Sequence, residues 1–464
     1  MRDLKLLHRI LTLSGWLLLA AGAPALAADG SPDPTFNGIG RAIIDAGGST
    51  RLAAIATQPD GKVVAVGEVA IPRADDASNT AFAIARWKAD GAPDTSFGTG
   101  HTGVVILEID AGPVGWRKDG ATSVAIQPDG KIVVAGYASA PSFQKHVAVA
   151  RLTALGNLDL DFGDGVGKLT LPQLGYGSAC KVLLRRGGEI VLTPLLSANQ
   201  HVLAQLTSLG ALDVDFGLGG LSEGWGCGGV GCGFLIQTLE LPNRDLLTLA
   251  HTAIGEVILL RFLSGDTGGP GWLDDGFGVD GVATFRPALD SPYPPGFELD
   301  HSGRVLVLVM DSGETWKAGL LRVVGDRLDP TFGTAGWAPF TFQPPTASGG
   351  GVPDVLQLQP DGKAIVAGTA FVDGSWNFVA TRRTADGGGA DASFSGGWST
   401  VVFDVGGGLY DEALAIAAAP GRVVLGGIAR SDAGWLLAAA RLLNSQVWSD
   451  GFESGTTWFW SGAN

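Results

Sequence analysis

The pentapeptide Gln127-Pro128-Asp129-Gly130-Lys131 lies between two apolar runs, Ser123-Val124-Ala125-Ile126 and Ile132-Val133-Val134-Ala135-Gly136. It recurs letter for letter at Gln58 to Lys62 and Gln359 to Lys363, with altered copies at Arg185 to Glu189, Pro242 to Asp245, Asp300 to Arg304 and Pro420 to Arg422. Pro presets the φ of a corner position, Asp bonds to the backbone ahead of it, and Gly takes the left-handed position, so each copy predicts a tight β-hairpin turn. Seven such turns commit the chain to repeated antiparallel hairpins.

A second mark falls between the hairpins. Asp33, Asp94, Asp159, Asp213, Asp274, Asp329 and Asp391 each stand three residues before a Phe, and the Phe-to-Phe steps are 61, 65, 54, 61, 55 and 62 residues. Each unit closes on an apolar run holding one Arg (Arg86, Arg151, Arg261, Arg322, Arg382 and Arg441), with Gln205 in its place in the third unit. An Asp beside an Arg in nearly every unit predicts an ion pair, and the Phe predicts a plug between neighbouring units. Four strands fit one unit; in the second they are A, Gly103 to Ile109, B, Ala121 to Ile126, C, Ile132 to Gly136, and D, Val147 to Leu152. Gly and Pro interrupt the chain too often for long helices. Small sheets that cannot bury their faces alone cover one another best in a closed ring. The expected fold is all-β, a seven-bladed β-propeller of four-stranded antiparallel blades over residues 28–444, with units at about 31–91, 92–156, 157–210, 211–271, 272–326, 327–388 and 389–444. An open solenoid of stacked units is the alternative.

The run Asp-Pro-Thr-Phe-Gly, Gln-Pro-Asp-Gly-Lys-Ile-Val-Val-Ala-Gly and Phe-Ala-Ile-Ala-Arg-Trp-Lys-Ala-Asp-Gly resembles the Delta-60 repeat of secreted and surface proteins from bacteria. The resemblance spans roughly residues 31–444 and is sharpest in the first, second and sixth units. It implies a propeller-like, non-catalytic repeat protein and supplies no catalytic residues. The third to fifth units carry altered turns, Arg185-Arg186-Gly187-Gly188 and Leu241-Pro242-Asn243-Arg244 among them.

Residues 1–27 read as a secretory signal peptide: Arg2, Lys5 and Arg9, an apolar run from Ile10 to Ala23, and a small-x-small site at Ala25-Leu26-Ala27. A membrane anchor is the alternative, but the run is short of a full span. The leader holds three basic residues and one acidic, so its removal takes the net charge from -15 to -17. Such a surface repels phosphate backbones and anionic lipid, which argues against nucleic acid and membrane as partners. The expected location is secreted or extracellular, in the periplasm or at the cell surface.

Candidate chemistry is sparse. No His forms a metal-ligand pair or follows a nucleophile elbow, and no cofactor or metal is expected. Asp300-His301-Ser302 spells a triad in a row, but adjacent turn residues cannot align as orienter, base and nucleophile. Asp311-Ser-Gly313-Glu-Thr315-Trp316 resembles the Asp box of sialidase propellers, a turn device. Asp159, Asp161 and Asp164 cluster, yet Phe162 and Gly163 interrupt the alternation of a calcium loop. Cys227 and Cys232 are expected to pair in their Gly-rich loop, leaving Cys180 as a buried small hydrophobe. The aromatic, acidic tail at 445–464 is either a recognition tag or a strand that docks on the last blade.

The A-to-B and C-to-D connections are the long, variable ones, and variable loops on a rigid scaffold carry function. They hold Trp116, Tyr176, Trp225, Tyr293 and Tyr410 in the first class, with Trp316 and Trp376 in or beside the second. These seven are the ligand-binding candidates of a non-catalytic module for carbohydrate or protein at the cell envelope. The alternative is a propeller hydrolase or lyase with active-site residues from scattered loops.

Overall fold

The computed structural model describes residues 28–445, except 75–78, 110–116, 140–143, 175–176, 197–201, 225–231, 266–268, 301, 314–315, 404, 406–409, 420 and 433. Its sheets are antiparallel and arranged as the seven blades of a β-propeller. In the first blade Thr50–Thr57, Val63–Ala70, Thr80–Trp87 and Val104–Leu107 lie in that order. The B strands are the innermost, each touching the next around the ring, and Asp411–Ala419 of the last blade closes against Thr50–Thr57 of the first. Two blades depart slightly from this plan. In the third, the outer strand is reduced to a bridge between Ala204 and Leu221, and the fifth adds the short hairpin strand Arg327–Leu328.

The repeating sequence unit and the blade are one strand out of phase. Strand A of each unit pairs with strand D of the unit before it, as Val104–Leu107 pairs with Thr80–Trp87. The first A strand, Arg41–Ile44, therefore has no predecessor in sequence; it pairs with Gly434–Leu443 and supplies the outer strand of the seventh blade. The ring is closed by joining the two ends of the chain, which removes the open faces a solenoid would expose.

Six of the B-to-C turns share one backbone geometry, and the seventh, between Ala419 and Arg422, is one residue shorter. Gly61, Gly130 and Gly362 have φ of 78°, 82° and 82°, and the altered copies follow, with Gly188 at 93° and Gly303 at 74°. In the fourth unit the position falls to Arg244, which holds a φ of 71° without glycine's freedom. Its hydrogen bonds match those of the regular turns: Leu241 N donates to Asp245 O at 2.8 Å, as Gln127 N donates to Lys131 O at 2.8 Å. Every inner strand contains a β-bulge, for example between Leu52 and Ala54 and between Pro353 and Val355. Beside four bulges the facing C strand has Gly67, Gly136, Gly368 or Gly427, where a Cβ would overlap the carbonyl oxygen of Arg51, Gly120, Val352 or Glu412. Close approach of two backbones is thus why those C strands contain glycine.

The Asp-x-x-Phe segments lie at the same end as the B-to-C turns, and their Phe side chains (Phe36, Phe97, Phe162, Phe216, Phe277, Phe332 and Phe394) are buried. Each strand D Arg reaches the Asp that follows it. Nε to Oδ2 distances are 2.9 Å for Arg86–Asp94, 2.7 Å for Arg151–Asp159, 3.2 Å for Arg261–Asp274, 2.8 Å for Arg322–Asp329, 2.9 Å for Arg382–Asp391 and 2.8 Å for Arg441–Asp33. Most also bond to the next blade: Arg86 to Ala154 O, Arg151 to Ser208 O, Arg322 to Ala385 O, and Arg441 to Ala89 O. Arg382 bonds instead to Asp29 and Asn444, which tie the first and last described residues together. These guanidinium groups sit over the Phe rings, as Arg86 does over Phe97 at 4.3 Å. In the third unit Gln205 Nε2 donates to Asp213 at 2.7 Å.

Burial alone would raise Asp33, Asp94, Asp159 and Asp391. Hydrogen bonds and charge from Thr35 and Arg422, Ser96 and Arg86, Lys131 and Arg151, and Lys363 and Arg382 outweigh it and hold all four below the usual carboxylate range. At Asp329 the hydrogen bond from Thr331 leads the same shift.

Candidate functional site at the loop end

Strand order places the A-to-B and C-to-D connections at the opposite end of the ring. There the repeat relaxes and aromatic side chains gather. Trp376 and Tyr410 face each other with ring centroids 6.0 Å apart, and their backbones form a bridge between the sixth and seventh blades. Phe371 meets Trp376 edge-on at 5.6 Å, and Trp435 meets Tyr410 edge-on at 5.5 Å, giving a four-ring run across two blades. Arg430 lies over Trp435 at 5.5 Å. Tyr293 contacts His251 of the fourth blade, 5.1 Å away, and Phe234 lies 6.1 Å beyond it. Trp316 lies against the backbone of Gly350.

Of the seven aromatic candidates, Tyr293, Trp316, Trp376 and Tyr410 are at this end; Trp116, Tyr176 and Trp225 lie outside the described residues. Tyr293 and Trp376 belong to strands, Pro292–Leu299 and Ser375–Arg383, rather than to loops. The Cys227–Cys232 pairing also lies outside the described residues, and Cys180 is a buried free thiol. Asp311 Oδ1 accepts a bond from Gly313 N at 2.9 Å and Oδ2 one from Asp290 N at 3.1 Å, a turn-building role.

The inner strands add groups that no motif marked. Asp354 and Glu412 stand on adjacent inner strands, within electrostatic reach of each other. Burial first, and the charge of Glu412 second, push Asp354 up to about 7. Burial raises Glu412 as well, against the opposing charge of Arg51 on the first blade. Tyr410 feels both carboxyls and Tyr293 feels Asp354; burial and these charges raise both phenols. Glu298, on the inner strand before Asp354, is pushed up to about 8 by burial. One signal could have found Asp354: it stands at the bulge position that Ala53 holds in the first unit and Thr122 in the second.

The first two blades join charged groups to a ring at this end. Tyr137 donates to Glu68 Oε2 at 2.7 Å, and Lys145 Nζ lies 3.7 Å from the Tyr137 ring centroid. Among the described residues no group of three His, Cys, Asp or Glu side chains is placed to hold a metal ion, and no helix is long and apolar enough to cross a membrane. A cleft of about 300 Å³ opens at the turn end between Arg304, Arg322, Thr331 and Asp361. Arg322 is already committed there to Asp329, Ala385 O and Thr331.

A family model described as "Domain of unknown function (DUF5122) beta-propeller" matches residues 58–97 and 127–162, which places these repeats with a propeller repeat family. No curated protein matches the chain. Among solved structures, a protein of unknown function from Dyadobacter fermentans is similar at 12% identity and a TM-score of 0.42, covering 88% of this chain and 98% of that one. A polysaccharide lyase of family PL25, an ulvan lyase bound to -[GlcA(1-4)Rha3S]-, is similar at 12% identity and 0.46, covering 86% and 95%. Sqt1 from Chaetomium thermophilum is similar at 12% identity and 0.38, covering 88% and 98%.

Proposed function

We propose that this chain is a secreted, non-catalytic propeller that binds carbohydrate at the cell envelope through its loop end. The observation that carries this is the run Phe371, Trp376, Tyr410 and Trp435 beside Asp354 and Glu412. Aromatic faces stack on the C–H faces of sugar rings, and carboxyl groups at the edge exchange hydrogen bonds with hydroxyls.

A hydrolase or lyase is the second possibility, and one observation favours it: a carboxyl held at about 7, as Asp354 is, donates a proton near neutral pH. In glycoside hydrolysis one carboxyl is raised to act as the acid while its partner stays ionised. Here Asp354, Glu412 and Glu298 are all pushed up, which supports binding over turnover.

Affinity electrophoresis against a panel of envelope polysaccharides tests the proposal. Retardation by at least one polymer is expected, lost in Trp376→Ala/Tyr410→Ala, with no release of reducing ends or unsaturated uronates. Polymer cleavage that disappears in Asp354→Asn would replace binding with catalysis, and equal migration of parent and variant in every gel would remove the aromatic run from the function.

A further inference from the structure

The turn end is not uniform around the ring. In four Asp-x-x-Phe turns the third residue is a hydroxyl, and its Oγ donates to Oδ1 of the turn Asp: Thr35 to Asp33 at 2.7 Å, Ser96 to Asp94 at 2.6 Å, Thr331 to Asp329 at 2.6 Å and Ser393 to Asp391 at 2.7 Å. In the three consecutive turns of blades two to four that position is Asp161, Asp215 and Gly276. The backbone bond to the turn Asp remains, but the hydroxyl bond is gone. Asp161 and Asp215 instead place a second carboxylate two residues from the first, where like charges repel.

The same turns carry apolar side chains outward. Leu160, Val166, Leu209, Val214, Leu218 and Val279 are each more than half exposed. They form one band, because the turns are linked: Gly163 N donates to Leu209 O at 3.0 Å and Gly217 N to Pro270 O at 2.6 Å. Exposed carboxylates Asp161, Asp164, Asp215, Asp275 and Asp280 are interleaved with the band, and none forms an ion pair among the described residues. An apolar band in water and like charges without an ion-pair partner both cost stability.

We infer that the Asp-x-x-Phe turns of blades two to four are a docking surface for a basic protein partner whose apolar side chains are ringed by Lys and Arg. Charge selects this occupant. A second copy of a chain with net charge -15 would bring the same carboxylates against each other. The segment 445–464 has aromatic residues to offer but contains Asp450 and Glu453 and no Lys or Arg, so the same rim repels it. A basic partner covers the apolar band and pairs the carboxylates at once.

The test uses the full secreted chain and two amphipathic helical peptides, one of Leu and Lys and one of Leu and Glu, followed by fluorescence anisotropy. The parent is expected to bind the Lys peptide, with affinity falling as salt rises, and not the Glu peptide. Leu160→Ser/Val214→Ser/Leu218→Ser leaves the charge unchanged and should weaken Lys-peptide binding by at least about tenfold. Asp161→Ser/Asp215→Ser should also weaken it, while melting no lower than the parent because the Oγ donors are restored. Equal affinity of parent and Leu/Val variant would mean that general acidity attracts the peptide, and would overturn the site. Sedimentation showing a parent dimer that the Leu/Val variant abolishes would overturn it in favour of self-association.

Discussion

The Asp-x-x-Phe turns and the inner strands treat carboxyl groups in opposite ways. At the turn end Asp33, Asp94, Asp159, Asp329 and Asp391 meet hydroxyls, backbone N–H groups and cations, and are held low. On the inner strands Asp354, Glu412 and, beside its B-to-C turn, Glu298 meet burial that their neighbours do not outweigh, and are pushed up. Satisfied charges stabilise a fold, whereas unsatisfied ones cost stability and are left available for a ligand. The contrast separates carboxyls that build the turns from carboxyls on the inner strands that have no strong partner.

Removing a guanidinium from the turn end should have the largest effect. Arg86 and Asp94 are almost fully buried, so Arg86→Ala leaves a buried carboxylate unpaired and should cost about 3–5 kcal/mol in urea unfolding. Arg261, more exposed and shared between Asp245 and Asp274, should cost only about 1 kcal/mol when replaced by Ala. Equal losses at the two sites would show that the pairs do not act through burial.

Gly136→Ala probes the bulge beneath the loop end. Its Cβ would press on the carbonyl oxygen of Gly120, so a loss of about 1–3 kcal/mol is expected by the same measurement. An unchanged midpoint would mean that the bulge relaxes freely.

The opposite shifts predict opposite pH responses. Glu298 titrates at about 8 in the fold against a reference of 4.5, so its contribution is fully present below pH 4.5 and is lost as pH rises through about 8. Glu298→Gln should therefore melt higher than the parent at about pH 9 and gain nothing at about pH 4. Asp391 is held below its reference of 3.8, so its contribution is present above pH 3.8 and is lost as pH falls through its folded value. Asp391→Asn should lower the melting temperature at neutral pH and converge on the parent in strong acid. Parallel pH profiles for the two variants would erase the distinction between turn and inner-strand carboxyls.

One irregularity within the repeat shows how sequence and packing trade places. In the first unit Arg86 of strand D donates to Gln58 of the B-to-C turn at 3.2 Å. In the third, strand D carries Gln205 and the turn carries Arg185, which donates to Gln205 Oε1 at 2.7 Å and pairs with Glu240 of the next blade at 3.1 Å. The two residue types have exchanged positions and kept their bond. Both departures are visible in the sequence; that they compensate each other becomes apparent only when the turn and the strand are seen to meet.

Sequence by itself determined what depends on neighbours a few residues apart and recurs along the chain: the hairpin turns, the number of blades, the plugging Phe, the Asp after each strand D, and the Arg within all of those strands but the third. A tight turn is specified by its own φ preferences and hydrogen bonds, and seven copies of the signal override its local corruption at Arg244. Tertiary structure decided what depends on the ring closing. Arg41–Ile44 joins the last blade because the first A strand has no earlier partner. Asp354 and Glu412, on adjacent inner strands, and Trp376, Tyr410 and Trp435 are brought together because the sixth and seventh blades are neighbours in a closed ring. The electrostatic coupling of such groups depends on their distance and burial, and neither is encoded in any local stretch of chain.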